Sequence, residues 1–470
     1  MLNPETQIVS TAGQSIDIVR EIQHKRFAND SLRPHAARLA ILKKFKETVK
    51  RYESELIQAL KEDLGRSAFE SYAADVGLVI DEISYAEKNL RKWMKPRRVP
   101  TPLALMPAKS FEVMSPLGQT LIIGPWNYPI QLLLIPLVGA LAAGNTVVVK
   151  PSELAAACES VLSKILNEAF DDDVVSTFTG GVDVSTLLLS KPWDHIFFTG
   201  STPVGRIVAK AAAATLSPVT LELGGKSPVF VTPDADLQLT ARRLVYGKFF
   251  NTGQTCVSPD YALVHESHRA KFVDLVKKVV EDFYGQNPKE SEDFGRIINQ
   301  RNLTRLLDLI DADKVALGGD HSAEDRYLAP TILDDVSWDD KVMEEEIFGP
   351  ILPIIYYKNL PDAIKAVKKR DHPLACYIFS ENRGEQSYLL NTLSFGGGCV
   401  NDTLVHVSSH HLPFGGVGPS GQGNYHGKNS FDTFSHRKGM MRNPSWLDLP
   451  VRYPPYASWK FKLIKLLIGR

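Results

Sequence analysis

The chain has 470 residues, of which 44% are hydrophobic and 23% are charged, with 54 basic and 54 acidic side chains. This composition is typical of an ordinary globular protein of two or three domains, and the zero formal net charge argues against a nucleic-acid-binding protein. Four scattered cysteines without CxxC spacing argue against a disulfide framework or a zinc finger and fit a reducing compartment.

The beginning of the chain and its apolar runs bear on localisation. The first residues, Met1 to Glu5, lack a basic region followed by an apolar run, so we expect no signal peptide and a cytoplasmic protein. The longest apolar stretch in the body, 130–143, is interrupted by Gln131, Pro136 and Gly139. It is shorter than the about 20 residues that a membrane span needs.

The first hundred residues have a helical pattern. Apolar residues recur at three- and four-residue spacing and predict helices over 15–28, 35–64 and 68–94. Four prolines between 96 and 107 then indicate an extended segment at the surface.

From residue 121 onward, strands and helices alternate. Runs rich in β-branched residues predict strands, separated by helical segments, at 121–123, 146–150, 174–178, 195–198 and 219–221. This alternation indicates a parallel sheet with crossover helices, whose ligands bind beyond the carboxyl ends of the strands. A second α/β series extends from 228 to about 400, and a distinct tail with three prolines begins at 446.

Cys256 is the most informative residue because of its neighbours. It follows Gly253-Gln254-Thr255 in a polar turn, whereas Cys158, Cys376 and Cys399 lie in no catalytic context. Upstream come Glu222, in a Gly-containing turn, and Asn127, in a Pro-bounded turn. A soft nucleophile, a carboxylate and an amide donor are the groups that acyl chemistry needs.

Two glycine-rich segments differ in what they predict. Gly200-Ser201-Thr202-Pro203-Val204-Gly205 follows a strand and opens a helix, which suits a pyrophosphate, although an ordinary turn would have the same pattern. A literal GxGxxG at 416–421 has neither a preceding strand nor a following helix. We interpret 416–421 as a loop that lines a site and not as a dinucleotide-binding turn.

Three further groups are open to more than one interpretation. Lys150 and Glu153 at a strand end are typical of strand-end solvation slightly more than of an adenosine-ribose site. The acidic run 344–346 is typical of a solvated face. His406, His410 and His411 lack a carboxylate partner or an HExxH pattern, so we expect no metal site.

Seven motifs in order resemble the NAD(P)-dependent aldehyde dehydrogenase superfamily over nearly the whole chain. They are GPWNYP (124–129), VVKPSE (148–153), FTGSTPVG (198–205), LELGGKSP (221–228), GQTCVSPDY (253–261), EEEIFGPILP (344–353) and PFGGVGPSG (413–421). The short N-terminal region and the run 430–436 are most similar to the class 3 branch, which includes oxidisers of fatty and aromatic aldehydes.

The resemblance implies an α/β architecture with several parts. These are a Rossmann-like parallel-sheet cofactor domain (1–97 and 118–223), an α/β catalytic domain (224–412), a small β oligomerisation arm (98–117 and 413–445) and a C-terminal tail (446–470). It also implies a homodimer, with an interface built from 96–117 and a strand at 430–440.

The resemblance further implies a role for each matching residue. Cys256 is the nucleophile, Glu222 the general base and Asn127 the oxyanion donor. The cofactor site comprises Trp126, Lys150, Glu153, Gly200, Ser201, Gly205, Gly224, Glu346 and Phe348. Tyr128 and Phe414 line the aldehyde side, and no metal is implied.

These roles predict oxidation of aldehydes to acids through a thioester that a Glu222-activated water hydrolyses. The Glu153 carboxylate suits ribose hydroxyls and repels a 2′-phosphate, so we expect NAD to serve at least as well as NADP. Apolar aldehydes of medium to long chain are the expected substrates, with aromatic or polyene aldehydes as the alternative. A CoA-acylating relative and a catalytically silent structural protein are the competing interpretations.

The basic and apolar tail at 458–470 has two interpretations of equal weight. It predicts either an amphipathic helix that contacts a membrane surface or covers the substrate mouth, or a helix docked on the protein itself or its dimer mate.

Overall fold

The computed structural model describes residues 4–468, with side chains described from residue 13 to 468. Helices alternate with strands through most of the chain. The helices are α1 (Pro4–Ala28), α2 (His35–Arg51), α3 (Glu53–Leu64), α4 (Ala68–Ser71), α5 (Gly77–Trp93), α6 (Gln131–Ala143), α7 (Ala156–Ala169), α8 (Val182–Leu189), α9 (Thr202–Thr215), α10 (Leu237–Phe249), α11 (Arg269–Tyr284), α12 (Gln300–Leu307), α13 (Leu360–Val367), α14 (Arg383–Thr392), α15 (Lys428–Thr433) and α16 (Ser458–Ile468).

The strands are β1 (Arg97–Val99), β2 (Lys109–Pro116), β3 (Gln119–Ile123), β4 (Thr146–Lys150), β5 (Val175–Thr177), β6 (His195–Thr199), β7 (Val219–Glu222), β8 (Pro228–Val231), β9 (Tyr261–His265), β10 (Val315–Leu317), β11 (His321–Ser322), β12 (Tyr327–Leu328), β13 (Thr331–Leu333), β14 (Ile351–Tyr357), β15 (Ala375–Phe379), β16 (Gly397–Val400), β17 (Gly421–Gln422) and β18 (Ser435–Arg442).

The first large sheet has the order β17-β7-β6-β3-β4-β5 and is parallel except for β17. Its side chains alternate between two apolar layers, as a strand period of two requires. Leu121 and Ile123 pack with α1, α8 and α9, whereas Ile122 packs with helices α2, α5, α6 and α7. The predicted parallel sheet with helices on both faces is therefore confirmed.

A second large sheet follows in the chain. Its order is β10-β13-β14-β9-β8-β15-β16, with only β10 antiparallel to its neighbour. A separate antiparallel sheet joins β1, β2 and β18, and β18 pairs with β2 along its whole length. The chain is thus an α/β protein with a small β arm, as predicted.

Three element predictions were wrong in detail. The predicted helix over 35–64 breaks at Tyr52, whose hydroxyl donates to Glu168 Oε2 at 2.8 Å. The helix over 68–94 contains a π-helical turn, Tyr72–Val76. The predicted strand at 430–440 is instead α15 followed by β18.

The apolar segment at 130–143 folds as α6, a core helix in which every side chain from Leu132 to Ala143 is buried. Within the described residues, no helix combines the length and the apolar character that crossing a bilayer requires.

Candidate active site

Most of the predicted residues lie at one edge of the first sheet. Lys150 on β4 is level with Ile123 on β3, and Glu222 on β7 is level with Thr199 on β6. The chain builds outward from β3 to β4 and β5 and then returns to place β6 on the other side of β3. Such a reversal opens a crevice at the carboxyl ends of the strands, where α/β proteins bind ligands.

One wall of the crevice is the beginning of α9. Its N-cap residue, Ser201, is exposed and caps the helix with no side-chain hydrogen bond, so backbone N–H groups of the first turn can meet an anion. A Cβ on Gly200 would press into the Phe198 ring, and one on Gly205 would press into Leu223. Both glycines are therefore required for close packing of this turn.

Lys150 and Glu153 form an ion pair at the end of β4. The Nζ of Lys150 lies 2.5 Å from Oε2 of Glu153, with the lysine almost fully buried and the carboxylate partly exposed. The Glu153 carboxylate thus lies at the rim of the crevice, where the buried Lys150 ammonium holds it in place. The prediction that these two residues merely solvate a strand end was wrong for Lys150, because its side chain is buried.

Glu346 and Phe348 lie on the opposite side of the crevice. A Cβ on Gly224 would collide with the Glu346 carboxylate, so only glycine allows this approach. Burial and the nearby Asp260 carboxylate raise the pKa of Glu346 to about 8. Phe348 has a left-handed φ of 52°, and its ring meets that of Trp126 edge-on at 5.4 Å. The prediction that 344–346 is merely a solvated face was wrong for Glu346.

These features together fit NAD(P). A free helix N-terminus suits a pyrophosphate, carboxylates at Glu153 and Glu346 suit ribose hydroxyls, and the Gly224 cradle leaves space for a flat ring. The predicted cofactor residues therefore gather around one crevice.

Cys256 follows α10 on a tightly constrained loop. Asn251 and Thr252 both adopt left-handed backbone conformations, and a Cβ on Gly253 would collide with the Gly349 carbonyl. Burial, followed by the Glu346 and Glu222 carboxylates, raises the pKa of the Cys256 thiol to about 12. At neutral pH this cysteine is a thiol and has to lose its proton before it can attack a carbonyl carbon.

Asn127 is bonded directly to the cysteine loop. Its Nδ2 donates to the Gln254 carbonyl at 3.0 Å, and its own carbonyl accepts from Asn251 Nδ2 at 2.9 Å. An amide NH₂ has two donor hydrogens, so one remains for an oxygen beside Cys256. The structure thus brings the two residues together as the motifs predicted.

Arg66 joins three segments around Asn127, and no pattern in the sequence pointed to it. The fully buried guanidinium donates to Asp75 Oδ2 at 2.6 Å, to Asn251 Oδ1 at 2.8 Å and to the Asn127 carbonyl. It also lies 4.3 Å from the centre of the Tyr128 ring. A single cation therefore fixes the Asn127 turn against the cysteine loop.

Glu222 is buried, with 1% of its surface exposed. Within residues 13–468, neither carboxylate oxygen has a hydrogen-bond partner. Burial raises the pKa of this carboxyl well above its usual value. A nearly dry, unpartnered carboxyl with a raised pKa is suited to taking a proton from a water molecule.

The GxGxxG segment at 416–421 packs over Glu222. Gly421 pairs with Glu222 across β17 and β7, and the Leu223 N–H donates to the Ser420 carbonyl at 3.1 Å. This segment is a loop that covers the site, as predicted, and not a dinucleotide-binding turn.

A mostly apolar cavity of about 120 Å³ opens onto Cys256. The predicted Tyr128 and Phe414 line it, together with residues that the sequence did not single out. Among the latter are Ala73, Ala74, Leu78, Leu132, Tyr246, Phe250, Leu404, Val407 and Tyr425. Ala73 and Ala74 belong to the π-helical turn, a feature that often accompanies functional sites.

The histidines before Pro413 have other partners. His410 bonds to Asp81 and Glu82, each at 2.7 Å, so the expectation that these histidines lack a carboxylate partner was wrong for His410. His406 Nδ1 lies 3.5 Å from Cys399 Sγ. In the part of the chain that the structure describes, no group of side chains could hold a metal ion.

The comparison with known proteins is decisive at this point. The sequence profile of the Aldehyde dehydrogenase family matches residues 6–440. The chain belongs to the aldehyde dehydrogenase family. It is 46% identical to the 4,4′-diaponeurosporen-aldehyde dehydrogenase of Staphylococcus aureus over 426 residues, or 90% of this chain and 93% of that protein.

Class 3 members of the family are similarly close, as the motifs predicted. Aldehyde dehydrogenase family 3 member H1 of Arabidopsis thaliana is 44% identical over 462 residues, which cover 97% of this chain and 95% of that one. The solved structure described as a substrate-bound state of Staphylococcus aureus AldH superposes with a TM-score of 0.94 at 44% identity, covering 96% of this chain and 99% of that one.

Proposed function

We propose that this enzyme oxidises apolar aldehydes of medium to long chain to carboxylic acids with NAD(P), by way of a thioester on Cys256. The cavity carries the proposal, because it brings a passage with mostly apolar walls to the thiol. Apolar walls favour a hydrocarbon chain and disfavour polar substrates that would lose their hydration. A polyene aldehyde is the second candidate substrate, because this chain is 46% identical to the 4,4′-diaponeurosporen-aldehyde dehydrogenase of Staphylococcus aureus.

The first step is attack of the Cys256 sulfur on the aldehyde carbon. A C–S bond forms, and the carbonyl π electrons move to oxygen. Because the resting thiol has a pKa of about 12, its proton has to be removed by a base, for which the Glu222 carboxylate is a candidate. The Asn127 side-chain N–H and the Cys256 backbone N–H then stabilise the negative oxygen.

Oxidation removes the hydrogen of the aldehyde carbon with its electron pair, leaving a thioester on Cys256. When bound, NAD(P) would supply the hydride acceptor. Gly224, Glu346 and Phe348 would hold the cofactor at the crevice, and α9 would meet its phosphates.

Hydrolysis completes the cycle. Glu222 first releases to solvent the proton it took from the thiol. It then takes a proton from water while the water oxygen attacks the thioester carbon, and the C–S bond breaks with its electrons on sulfur, which regains a proton from Glu222. The two unpartnered carboxylate oxygens support this role. They also favour water over another acyl acceptor, such as CoA, and argue for a working enzyme over a silent structural protein.

Members of this family use NAD(P), and we propose that NAD serves at least as well as NADP here. The support is the Glu153 carboxylate, which suits two ribose hydroxyls and repels a 2′-phosphate. Its partner Lys150 is almost fully buried beneath it, so the outward charge of the pair is negative.

A homodimer is part of the proposal. β18 is exposed over nearly its whole length and forms one edge of the small sheet, and β16 is an edge of the large catalytic sheet. Exposed edge strands are ready to pair with another chain. Sedimentation of the purified protein at dilution would test this assembly.

The tail is proposed to contact a lipid surface. Trp446, Tyr456, Trp459, Phe461 and Ile468 are all more than half exposed, and lysines accompany them on α16. Deletion of 446–470 should abolish binding to anionic vesicles; unchanged sedimentation with vesicles would remove this part of the proposal.

The test of the proposed function is a panel of aldehydes assayed by NADH absorbance. We expect kcat/KM to rise with chain length from short to long aliphatic aldehydes, with a polyene and an aromatic aldehyde in the same panel. A preference for short, polar aldehydes would contradict the proposal.

A further inference from the structure

We propose that the aldehyde channel continues into a subsite for a carboxylate, formed by Arg242 beyond the channel mouth. The substrates that would use it are long-chain aldehydes whose far end is a carboxylate, that is, ω-oxo acids. This inference rests on the proposed function, since the aldehyde end has to react at Cys256.

The path is a row of side chains along α10. Arg242 and Tyr246 are four residues apart on α10, so they lie on one face about 6 Å apart along the helix axis, and Phe250 is the C-cap residue four positions further on. Phe250, at the end of the row, and Tyr246 have rings 5.3 Å apart, and both line the Cys256 cavity. The row therefore leads outward from the cavity to Arg242.

Tyr246 also belongs to a second groove at the surface. This groove is lined by Leu239, Arg242, Arg243, Tyr246 and Phe283. Because Tyr246 lines both spaces, the groove adjoins the channel at this side chain. A chain that fills the channel and emerges past Tyr246 reaches this groove next.

Arg242 is the cation available in the groove. Its guanidinium lies 5.7 Å from the centre of the Phe283 ring, and within residues 13–468 it forms no ion pair or side-chain hydrogen bond. Its neighbour Arg243 is already engaged with the Asn401 carbonyl and the Asp402 carboxylate. A guanidinium fork is suited to a carboxylate, with which it can form two parallel hydrogen bonds.

The two ends of an ω-oxo acid have different preferences for the two spaces. The uncharged aldehyde enters the apolar channel, whereas the carboxylate would lose its hydration there and stays in the open groove. Arg242 would thus orient the molecule with its aldehyde towards Cys256. Oxidation leaves the distal carboxylate unchanged and yields a dicarboxylic acid.

The experiment compares three long-chain aldehydes of equal length in the full-length enzyme: an ω-oxo acid, its methyl ester and the simple n-aldehyde. The variants are Arg242→Gln, Arg242→Lys and, as a matched loss of charge elsewhere, Arg383→Gln on α14. For Arg242→Gln we expect kcat/KM for the ω-oxo acid to fall by about three- to fivefold, through KM, as the loss of a partly exposed ion pair predicts. The ester and the n-aldehyde should be unaffected, Arg242→Lys should retain most of the rate, and Arg383→Gln should change nothing.

Two measurements separate this inference from the proposed function. If none of the three aldehydes is oxidised, the proposed function fails. If the ester and the n-aldehyde are oxidised but Arg242→Gln affects all three alike or none, the carboxylate subsite is overturned. Calorimetric titration with a long-chain dicarboxylate should show binding that weakens in Arg242→Gln and at high salt, whereas equal binding in both proteins would contradict the subsite.

Discussion

Replacement of Arg66 by methionine tests whether the buried network positions Asn127 or merely stabilises the fold. The change removes the hydrogen bond from Arg66 to the Asn127 carbonyl, the bond to Asn251 and the ion pair with Asp75. It leaves the Asp75 carboxylate buried, with only the backbone N–H groups of Gln131 and Ile130 as partners among the described residues, and it removes the cation 3.9 Å from the buried Glu70 carboxylate. Loss of one partner of a buried ion pair costs about 3–5 kcal/mol of stability.

The effect on catalysis is expected to be smaller than loss of Asn127 itself. Removal of an oxyanion donor raises the barrier by about 2.7–4 kcal/mol. Arg66 acts through the Asn127 backbone, and Asn251 Nδ2 still holds that carbonyl at 2.9 Å. We therefore expect kcat to fall by about tenfold, or about 1.4 kcal/mol, with little change in the dissociation constant of NAD.

A double variant and a control distinguish positioning from stability. Arg66→Met with Asp75→Asn removes the Asp75 charge while the amide oxygen introduced there can still accept from the Gln131 N–H, so part of the stability should return, with Glu70 still unpaired, and kcat should not. Arg38→Met removes another buried arginine, bonded to the Leu32 and Ala142 carbonyls, away from the cysteine loop. Thermal melting and steady-state kinetics of the three variants are the assay. Recovery of kcat together with stability, or an equal loss of kcat in Arg38→Met, would refute the positioning role.

Three other changes have defined outcomes. Cys256→Ser should abolish aldehyde oxidation while NAD still binds in a fluorescence titration; turnover near that of the wild type would contradict the assignment. Glu153→Gln should raise kcat/KM with NADP relative to NAD by about fivefold, and an unchanged ratio would show that this carboxylate does not select the cofactor. Burial lowers the pKa of His195 to about 4, so the folded state binds fewer protons than the unfolded state below pH 6.5 and stability falls as the pH drops. His195→Gln should therefore flatten the loss of stability between pH 7.5 and 5 by about 2 kcal/mol in denaturation curves, whereas an unchanged slope would contradict this source of acid sensitivity.

The sequence predicted those parts of the site that depend on local pattern. Strand periodicity was sufficient to predict the parallel sheet. Cys256, Glu222 and Asn127 could be singled out because each lies in or beside a turn that follows its own strand or helix directly. Glu346 was misjudged from its acidic run, since its burial depends on Gly224, which is 122 positions away in the chain.

Long-range contacts explain what the sequence could not predict. Arg66 resembles an ordinary charge between helical segments, and its partners Asn127 and Asn251 lie 61 and 185 residues away. The break at Tyr52 does not disturb the apolar periodicity, because α2 and α3 each bury one face. Tyr246 fits the ordinary helical pattern of α10, and its place in the channel wall could not be predicted because it depends on how α10 packs in the fold.

The thioester on Cys256 is the central claim, and mass spectrometry of the Glu222→Gln enzyme tests it most directly. After mixing with a long-chain aldehyde and NAD, the variant should accumulate the acyl group on the peptide that contains Cys256, because the water is no longer activated. It should also show one burst of NADH per active site and little further turnover. Steady turnover without an adduct, or an acyl group on Cys158, Cys376 or Cys399 instead, would contradict the account.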